Sequence, residues 1–201
     1  ALILNSGMGT RMGALTTEQP KCMTEISNDE TILSRQLNLL KQFDVTEVVI
    51  TTGHFNGILT EYCESLDLDL DYTFVYNPLY DQTNYIYSIY LARKELNDDL
   101  ILMHGDLVFE HGVLENSLNH KNSSMAISTA IPLPPKDFKA VLRNGTIDKI
   151  GVEFFDDAVA AQPLYKLNKD MWLIWLENII KFCENDKVSC YAENAFNEVS
   201  D

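Results

Sequence analysis

The chain has 201 residues, 46% of them apolar, and a formal net charge of −15 at pH 7. That is enough apolar material for a real core, so disorder is excluded as the default, and the length suits one α/β domain with at most a small appendage. The acidic balance argues against nucleic acid or an anionic membrane as the main partner, leaves a nucleotide ligand open because a few local cations decide that, and favours a substrate carrying an amine.

In chain order, residues 2–4 predict a short buried strand that runs into a glycine-rich loop at 5–13, followed by a polar, irregular stretch at 14–20. Thr31 or Asp29 caps a helix through about residue 43, with Ile32, Leu33, Gln36, Leu37, Leu40 and Phe43 near helical spacing. Val48-Val49-Ile50-Thr51-Thr52 is β-branched throughout, reads as a fully buried parallel strand, and ends at Gly53-His54. A second helix spans roughly 56–65, and a strand at 72–76 stops at Asn77-Pro78. Residues 84–96 are helical, with Tyr85, Ile89, Ala92 and Leu96 on one stripe, and a strand at 99–104 runs into Gly105-Asp106. This β-α-β-α-β-α-β order means a parallel sheet with right-handed crossovers. Ligands sit at the carboxyl ends of such strands, where residues 5–9, Thr52-Gly53, Asn77 and Asp106 all collect.

The second half changes character. A strand at 125–131 is broken by Pro132, Pro134 and Pro135. Strands at 139–143 and 146–150 flank Asn144-Gly145, the strongest short hairpin signal, and 152–155 continues as strand. Residues 169–185 form an amphipathic helix holding Trp172 and Trp175, and 188–192 forms a short strand. This half reads as a substrate-side insertion on the nucleotide sheet. The expectation is one domain over 1–201, its nucleotide half about 1–110 and its acceptor half about 111–201.

Cys22, Cys63, Cys183 and Cys190 form no Cys-x-x-Cys pair and have no histidine at zinc-ligand spacing. They are expected as reduced thiols of a cytoplasmic protein, an expectation that also follows from the lack of a signal peptide before the first strand and of a run of about eighteen apolar residues. The chain opens inside a strand and stops after a polar motif, so it reads as an excised portion or an incompletely ordered chain, compatible with a further enzyme domain beyond Asp201. Its oligomeric state is left open.

Chemistry concentrates in the run Leu4-Asn5-Ser6-Gly7-Met8-Gly9-Thr10-Arg11-Met12, then Pro20-Lys21. The spacing fits neither G-x-G-x-x-G nor the Walker loop, yet it suits a nucleoside triphosphate. Glycine lets the backbone N–H groups of Met8 to Thr10 approach phosphate oxygens, and Arg11 and Lys21 neutralise the charge. The bland alternative is an ordinary strand-to-helix turn. Asp106, an acid at the end of an apolar strand, is placed to hold Mg²⁺ against the nucleotide, the alternative being a cap on the next segment. Glu198 and Asp201 are candidates to complete that metal site, the alternative being a solvated acidic tail. His104 reads as a packed side chain. Tyr80, Tyr85, Glu153 and Trp172 supply rings and acids for an amine acceptor, and Lys139 a cation for its anionic end, although each also reads as ordinary core or surface.

Beyond these residues, the run Thr83-Asn84-Tyr85-Ile86-Tyr87-Ser88-Ile89-Tyr90-Leu91 resembles the bacterial choline-phosphate cytidylyltransferases of the LicC type and their relatives that activate 2-aminoethylphosphonate. The likeness also takes in Gly7-Met8-Gly9-Thr10-Arg11-Met12, Pro20-Lys21, Thr51-Thr52-Gly53, Gly105-Asp106, Gly151-Val152-Glu153-Phe154-Phe155 and Asn197-Glu198-Val199. It implies an α/β, Rossmann-like three-layer nucleotidyltransferase fold with a mostly parallel central sheet and a small β-hairpin and helix insertion. It implies Mg²⁺-dependent transfer of CMP from CTP onto a small amine-bearing phosphate or phosphonate, with Lys21, Arg11 and Asp106 catalytic. Leu4, Asn5, Ser6, Gly7, Met8, Gly9, Thr10, Thr52, Gly53, Asn77, Thr83, Asn84 and Ser88 are then expected at the nucleotide. Asn5 and Ser6 stand where that family usually has two alanines, and Ser200 where an acid is expected, which shifts weight to Glu198 or Asp201. Two other readings share the loop: sugar-1-phosphate nucleotidyl transfer, disfavoured by the 95 residues left after Asp106, and a non-catalytic nucleotide sensor, disfavoured by the presence of Lys21 and Asp106.

Overall fold

The structure is a computed structural model that describes residues 1–9 and 17–199. Strands β1 (Leu2–Asn5), β4 (Glu47–Thr52), β5 (Asp71–Tyr76) and β6 (Leu100–His104) form the parallel half of a mixed sheet. Strands β7 (Ser124–Ser128), β8 (Lys139–Arg143), β9 (Thr146–Gly151) and β10 (Ala158–Leu167) form its antiparallel half. The order across the sheet is β5-β4-β1-β6-β10-β8-β9, with β7 also paired to β10. A separate two-stranded ribbon joins β2 (Glu25–Ser27) and β3 (Glu30–Thr31).

Period-two alternation along β1 sends Leu2 and Leu4 to one face and Ile3 to the other, so the sheet is buried on both sides. Helices α1 (Ile32–Gln42), α2 (Asn56–Ser65) and α4 (His111–Leu118) cover the Ile3 face. Leu33, Leu37 and Leu40 of α1 project into that layer with Ile50, Leu59 and Met103. Helices α3 (Tyr85–Ala92), α5 (Lys169–Glu184) and α6 (Ala192–Asn197) cover the other face, where Ile86, Ile89, Trp172, Trp175 and Ile179 pack with Leu2 and Leu102. The result is a three-layer α/β fold. Thr31 caps α1, its hydroxyl accepting from the Ser34 amide at 3.0 Å, and Asn84 caps α3. Among the described residues no helix is long and apolar enough to cross a membrane.

Four expected segments differ. The helix from 84 gives way to a 3₁₀ turn at Arg93–Glu95. Strand β7 stops at Ser128. Residues 152–155 are not a strand: the Glu153 carboxylate folds back over Gly151, and Asp157 turns the chain at φ 52° into β10. Residues 188–191 are irregular, because the Val188 carbonyl is taken by the Asn84 amide at 2.8 Å and Tyr191 caps α6. Strand β10, the centre of the antiparallel half, went unread in the sequence. Its register slips between Ala161 and Tyr165, where Pro163 removes a ladder donor.

Candidate active site

The carboxyl ends of the parallel strands open into a cleft of about 540 Å³. The end of β1 and its loop contribute Leu4 to Gly9, and the segment at Pro20, Lys21 and Cys22 faces them. The loop before α3 supplies Tyr80 to Asn84 with Tyr85, the end of β6 supplies His104, Gly105 and Asp106, and Ser189 closes the rim. Two glycines lie close against the end of β1 and its loop, Gly105 against the Asn5 side chain and Gly53 against the Ser6 backbone. A Cβ on Gly105 would lie 1.6 Å from Asn5 Oδ1, and one on Gly53 would lie 2.3 Å from the Ser6 carbonyl oxygen.

The charged end of the cleft is built by one pair. Lys21 Nζ donates to Asp106 Oδ2 at 2.5 Å. Burial pushes the Asp106 carboxyl up, but the hydrogen bond and charge of Lys21, with His104 behind it, outweigh that and hold it below the usual carboxylate range. Asp106 is therefore ionised at neutral pH and Lys21 is fixed at the mouth of the glycine loop. The two side chains are about one-third and two-fifths exposed, so the pair contributes little to stability, about 0–1 kcal/mol.

The other end, which has no cation among the described residues, lies toward β4 and β5. Ser6 and Ser88 hydroxyls meet at 2.7 Å, and Asn77 Nδ2 donates to Ser88 Oγ at 3.0 Å and to Thr83 Oγ1 at 3.1 Å. Asn77 and Ser88 are buried behind Ser6. Thr52 is also buried and spends its hydroxyl on Asn56 Oδ1 at 2.5 Å.

Behind the third wall lies a polar network. Glu193, 1% exposed, accepts from the Tyr85 hydroxyl on one oxygen and from the Tyr165 hydroxyl on the other at 2.6 Å. Burial, then the Glu193 charge, push both phenols well above the usual tyrosine range. The Tyr85 ring packs edge-on to His104, with centroids 4.7 Å apart.

Burial lowers His104 below 6.5; Glu193 and Asp106 pull it up and Lys21 adds to the lowering. The folded chain therefore protonates it at lower pH than the unfolded chain, which takes up a proton as pH falls through 6.5. The unfolded state then binds more protons, so stability drops below that pH. The melting temperature should fall more steeply between about pH 7 and pH 5.5 in the wild type than in His104→Phe, which keeps the ring contact and cannot titrate. Calorimetry at matched ionic strength measures this, and parallel curves would remove His104 from the pH dependence.

The cleft thus brings together Lys21, Asp106, Leu4, Asn5, Ser6, Gly7, Met8, Gly9, Tyr80, Thr83, Asn84 and Tyr85. Arg11, Thr10 and Asp201 lie outside the described residues. Three expected acceptor residues are not in the cleft. Trp172 is fully buried in the core, its indole N–H bonded to the Leu96 carbonyl at 2.8 Å, because it lies on the inner stripe of α5. Lys139 is buried as well, donating to the Pro134 carbonyl at 2.9 Å beneath the Phe155 ring, where it ties down the proline-rich segment. Glu153 is exposed beyond β9. Glu198, expected at the metal, pairs instead with Lys187 at 3.8 Å and does not line the cleft. Glu193, Tyr165 and the cleft position of His104 were not anticipated. Glu193 stands between Ala192 and Asn194 with no local mark of burial, and its partners lie 108 and 28 residues away.

The MobA-like NTP transferase domain family matches residues 1–141. The chain is 31% identical over 127 residues to the CTP:phosphoglutamine cytidylyltransferase of Campylobacter jejuni, covering 60% of this chain and 49% of that protein. It is 31% identical over 157 residues to the CMP-5'-(3-aminopropyl)phosphonate synthase of Streptomyces rubellomurinus, covering 78% of this chain and 24% of that protein. The chain therefore spans about half, or less, of the length of these curated relatives. In fold it is similar to the CTP:phosphocholine cytidylyltransferase LicC of Streptococcus pneumoniae, with a TM-score of 0.67 at 19% identity over 98% of this chain and 83% of that one. The glycine loop, Lys21 and the strand ends that form the cleft all fall inside the matched segment, and the chain belongs to the MobA-like NTP transferase domain family.

Proposed function

We propose that the chain transfers CMP from CTP onto a small phosphate- or phosphonate-bearing amine and releases pyrophosphate. The observation that carries this is the Lys21–Asp106 pair at the mouth of the glycine loop. An acceptor oxygen attacks the α-phosphorus as the bond to the β-phosphate oxygen breaks. A phosphate dianion is already nucleophilic near neutral pH, so the site positions two anions and offsets their repulsion instead of abstracting a proton. Lys21 donates to the oxygens of the α-phosphate, and the backbone N–H groups of the loop hold the leaving phosphates. The names of two relatives, one a phosphoglutamine enzyme and one an aminopropylphosphonate enzyme, support an acceptor with both a phosphorus oxyanion and nitrogen. The Tyr85 ring, backed by the Glu193 charge, suits the cationic end of such an acceptor.

The donor chemistry at Asp106 fits Mg²⁺. That ion takes about one or two carboxylates, substrate phosphates and several waters, and among the described residues Asp106 is an ionised carboxylate in the cleft while no cluster of three metal-binding side chains exists. Bound there, Mg²⁺ supplies further positive charge against the triphosphate.

Pyrophosphate release is the test, with CTP against other nucleoside triphosphates, with and without Mg²⁺. Phosphocholine, phosphoethanolamine, 2-aminoethylphosphonate and sugar 1-phosphates serve as acceptors. Turnover is expected with CTP, Mg²⁺ and one of the amines. Turnover with sugar phosphates alone would move the chain to sugar activation, and none with any acceptor would make it a sensor.

A further inference from the structure

We infer that Ser6 recognises the nucleobase as a hydrogen-bond donor, and that Asn77 and Ser88, buried behind it, act as positioning residues that fix the direction of that bond. The inference rests on the CTP reading above and adds to it the atom that reads the base.

The direction follows from counting protons. Asn77 Oδ1 accepts from the Leu79 amide at 2.9 Å, which fixes the orientation of its carboxamide, since the flipped group would set an N–H against an N–H. Both protons on Asn77 Nδ2 are then spent, one on Thr83 Oγ1 at 3.1 Å and one on Ser88 Oγ at 3.0 Å. Thr83 in turn spends its hydroxyl proton on the Leu79 carbonyl at 2.7 Å. Ser88 thus receives a proton and has one of its own to place. Ser88 is fully buried, and the acceptor within reach is Ser6 Oγ at 2.7 Å. If Ser6 donated to Ser88 instead, the Ser88 proton would be buried with no acceptor, a cost that native structures avoid. The chain of bonds therefore runs Asn77 to Ser88 to Ser6. Ser6 accepts from behind and its own proton is left for the cleft, which Ser6 lines.

The sheet order says which part of the nucleotide this proton meets. Across the carboxyl edge the sequence is β5, β4, β1, β6. Asp106 follows β6 and pairs with Lys21, the one cation among the described residues that line the cleft. Ser88, Asn77 and Thr83 lie on the opposite, β5 side and carry no charge, and the one ionisable residue of that loop that lines the cleft, Asp81, is an acid that repels phosphate. Phosphates belong at the first end and a neutral heterocycle at the second. Cytosine offers adjacent acceptors there, the carbonyl O2 and the ring N3, either of which takes a hydroxyl proton.

The test is a cycle between protein and ligand. Binding of CTP, 2-thio-CTP and 3-deaza-CTP is measured by calorimetry on wild type, Ser6→Ala and Asn77→Asp. One analogue is expected to bind the wild type about three- to tenfold more weakly than CTP, the range of one hydrogen bond. That penalty should vanish in S6A. It should also shrink in N77D, whose carboxylate only accepts, so that Ser88 and then Ser6 turn their protons inward. N77D buries a charge, and if it fails to fold S6A decides alone. The same analogue penalty in wild type and S6A, or no penalty with either analogue, overturns the inference while CTP turnover by the wild type leaves the cytidylyl reading standing. A wild type that prefers another nucleoside triphosphate overturns both.

Discussion

Replacing Lys21 with alanine is expected to lower turnover by about 10²- to 10³-fold, the usual loss when one group that stabilises developing charge is removed. The effect is this large because the charged end of the cleft has little redundancy among the described residues. Among the described residues that line it, Lys21 is the only cation. Without it, Asp106 faces an incoming triphosphate as an unopposed negative charge, and burial, which already favours the protonated carboxyl, meets no counterweight from Lys21. The fold should not suffer. The pair is partly exposed, so its loss changes stability by less than about 1 kcal/mol. Pyrophosphate release under single-turnover conditions, together with a melting curve, separates the two effects. A variant that turns over within about threefold of wild type would remove Lys21 from the chemistry and with it the main support for the proposed reaction. Lys21→Arg keeps the charge but not the compact ammonium, and is expected to recover only part of the rate.

The parts of the fold that could be read from the sequence are those held by local rules. The alternation of Leu2, Ile3 and Leu4, the β-branched run of β4 and the spacing of Leu33, Leu37 and Leu40 each state a strand or a helix face within a few residues. Asn144-Gly145 marks its hairpin because both residues take positive φ, 53° and 79°, as a tight turn requires. Strand β10 was illegible for the opposite reason. Its alanines and Pro163 oppose a strand locally, and it exists because β6, β7 and β8 all pair with it. The stretch 188–191 failed in the same way, since an apolar start there is spent on a contact with Asn84.

The candidate site divides along the same line. Residues at strand ends could be listed from the sequence because the topology of a parallel sheet collects them. What the sequence could not supply was the distinction between lining and support. Trp172 and Lys139 carry suitable chemistry for an amine or an anion, yet packing turns both inward. Asn77 and Ser88 sit one layer behind Ser6, so they act on a ligand only through it.

Glu193 shows how far that supporting layer reaches, and truncating it is expected to be the most destabilising single change near the cleft. Glu193→Ala leaves the Tyr85 and Tyr165 hydroxyls without their acceptor; Tyr165 is buried and Tyr85 half-buried. Each unsatisfied, fully buried group costs about 1–3 kcal/mol, so with Tyr85 half-buried the loss is at most about 2–6 kcal/mol before the relief of one buried charge is counted. That relief favours the lower half of the range, about 3 kcal/mol, a large share of the roughly 5–15 kcal/mol that holds a domain folded. Glu193→Gln separates charge from shape. Its carbonyl accepts from one tyrosine and its amide donates to the other's oxygen, so it should cost about 1 kcal/mol. Urea unfolding at neutral pH gives both numbers from midpoints at constant slope. The consequence should also reach the cleft, because Tyr85 is one of its walls and is held in place by this bond. If Glu193→Ala costs no more than Glu193→Gln, the two hydroxyls have found other partners and Glu193 is not what holds Tyr85 against the cleft.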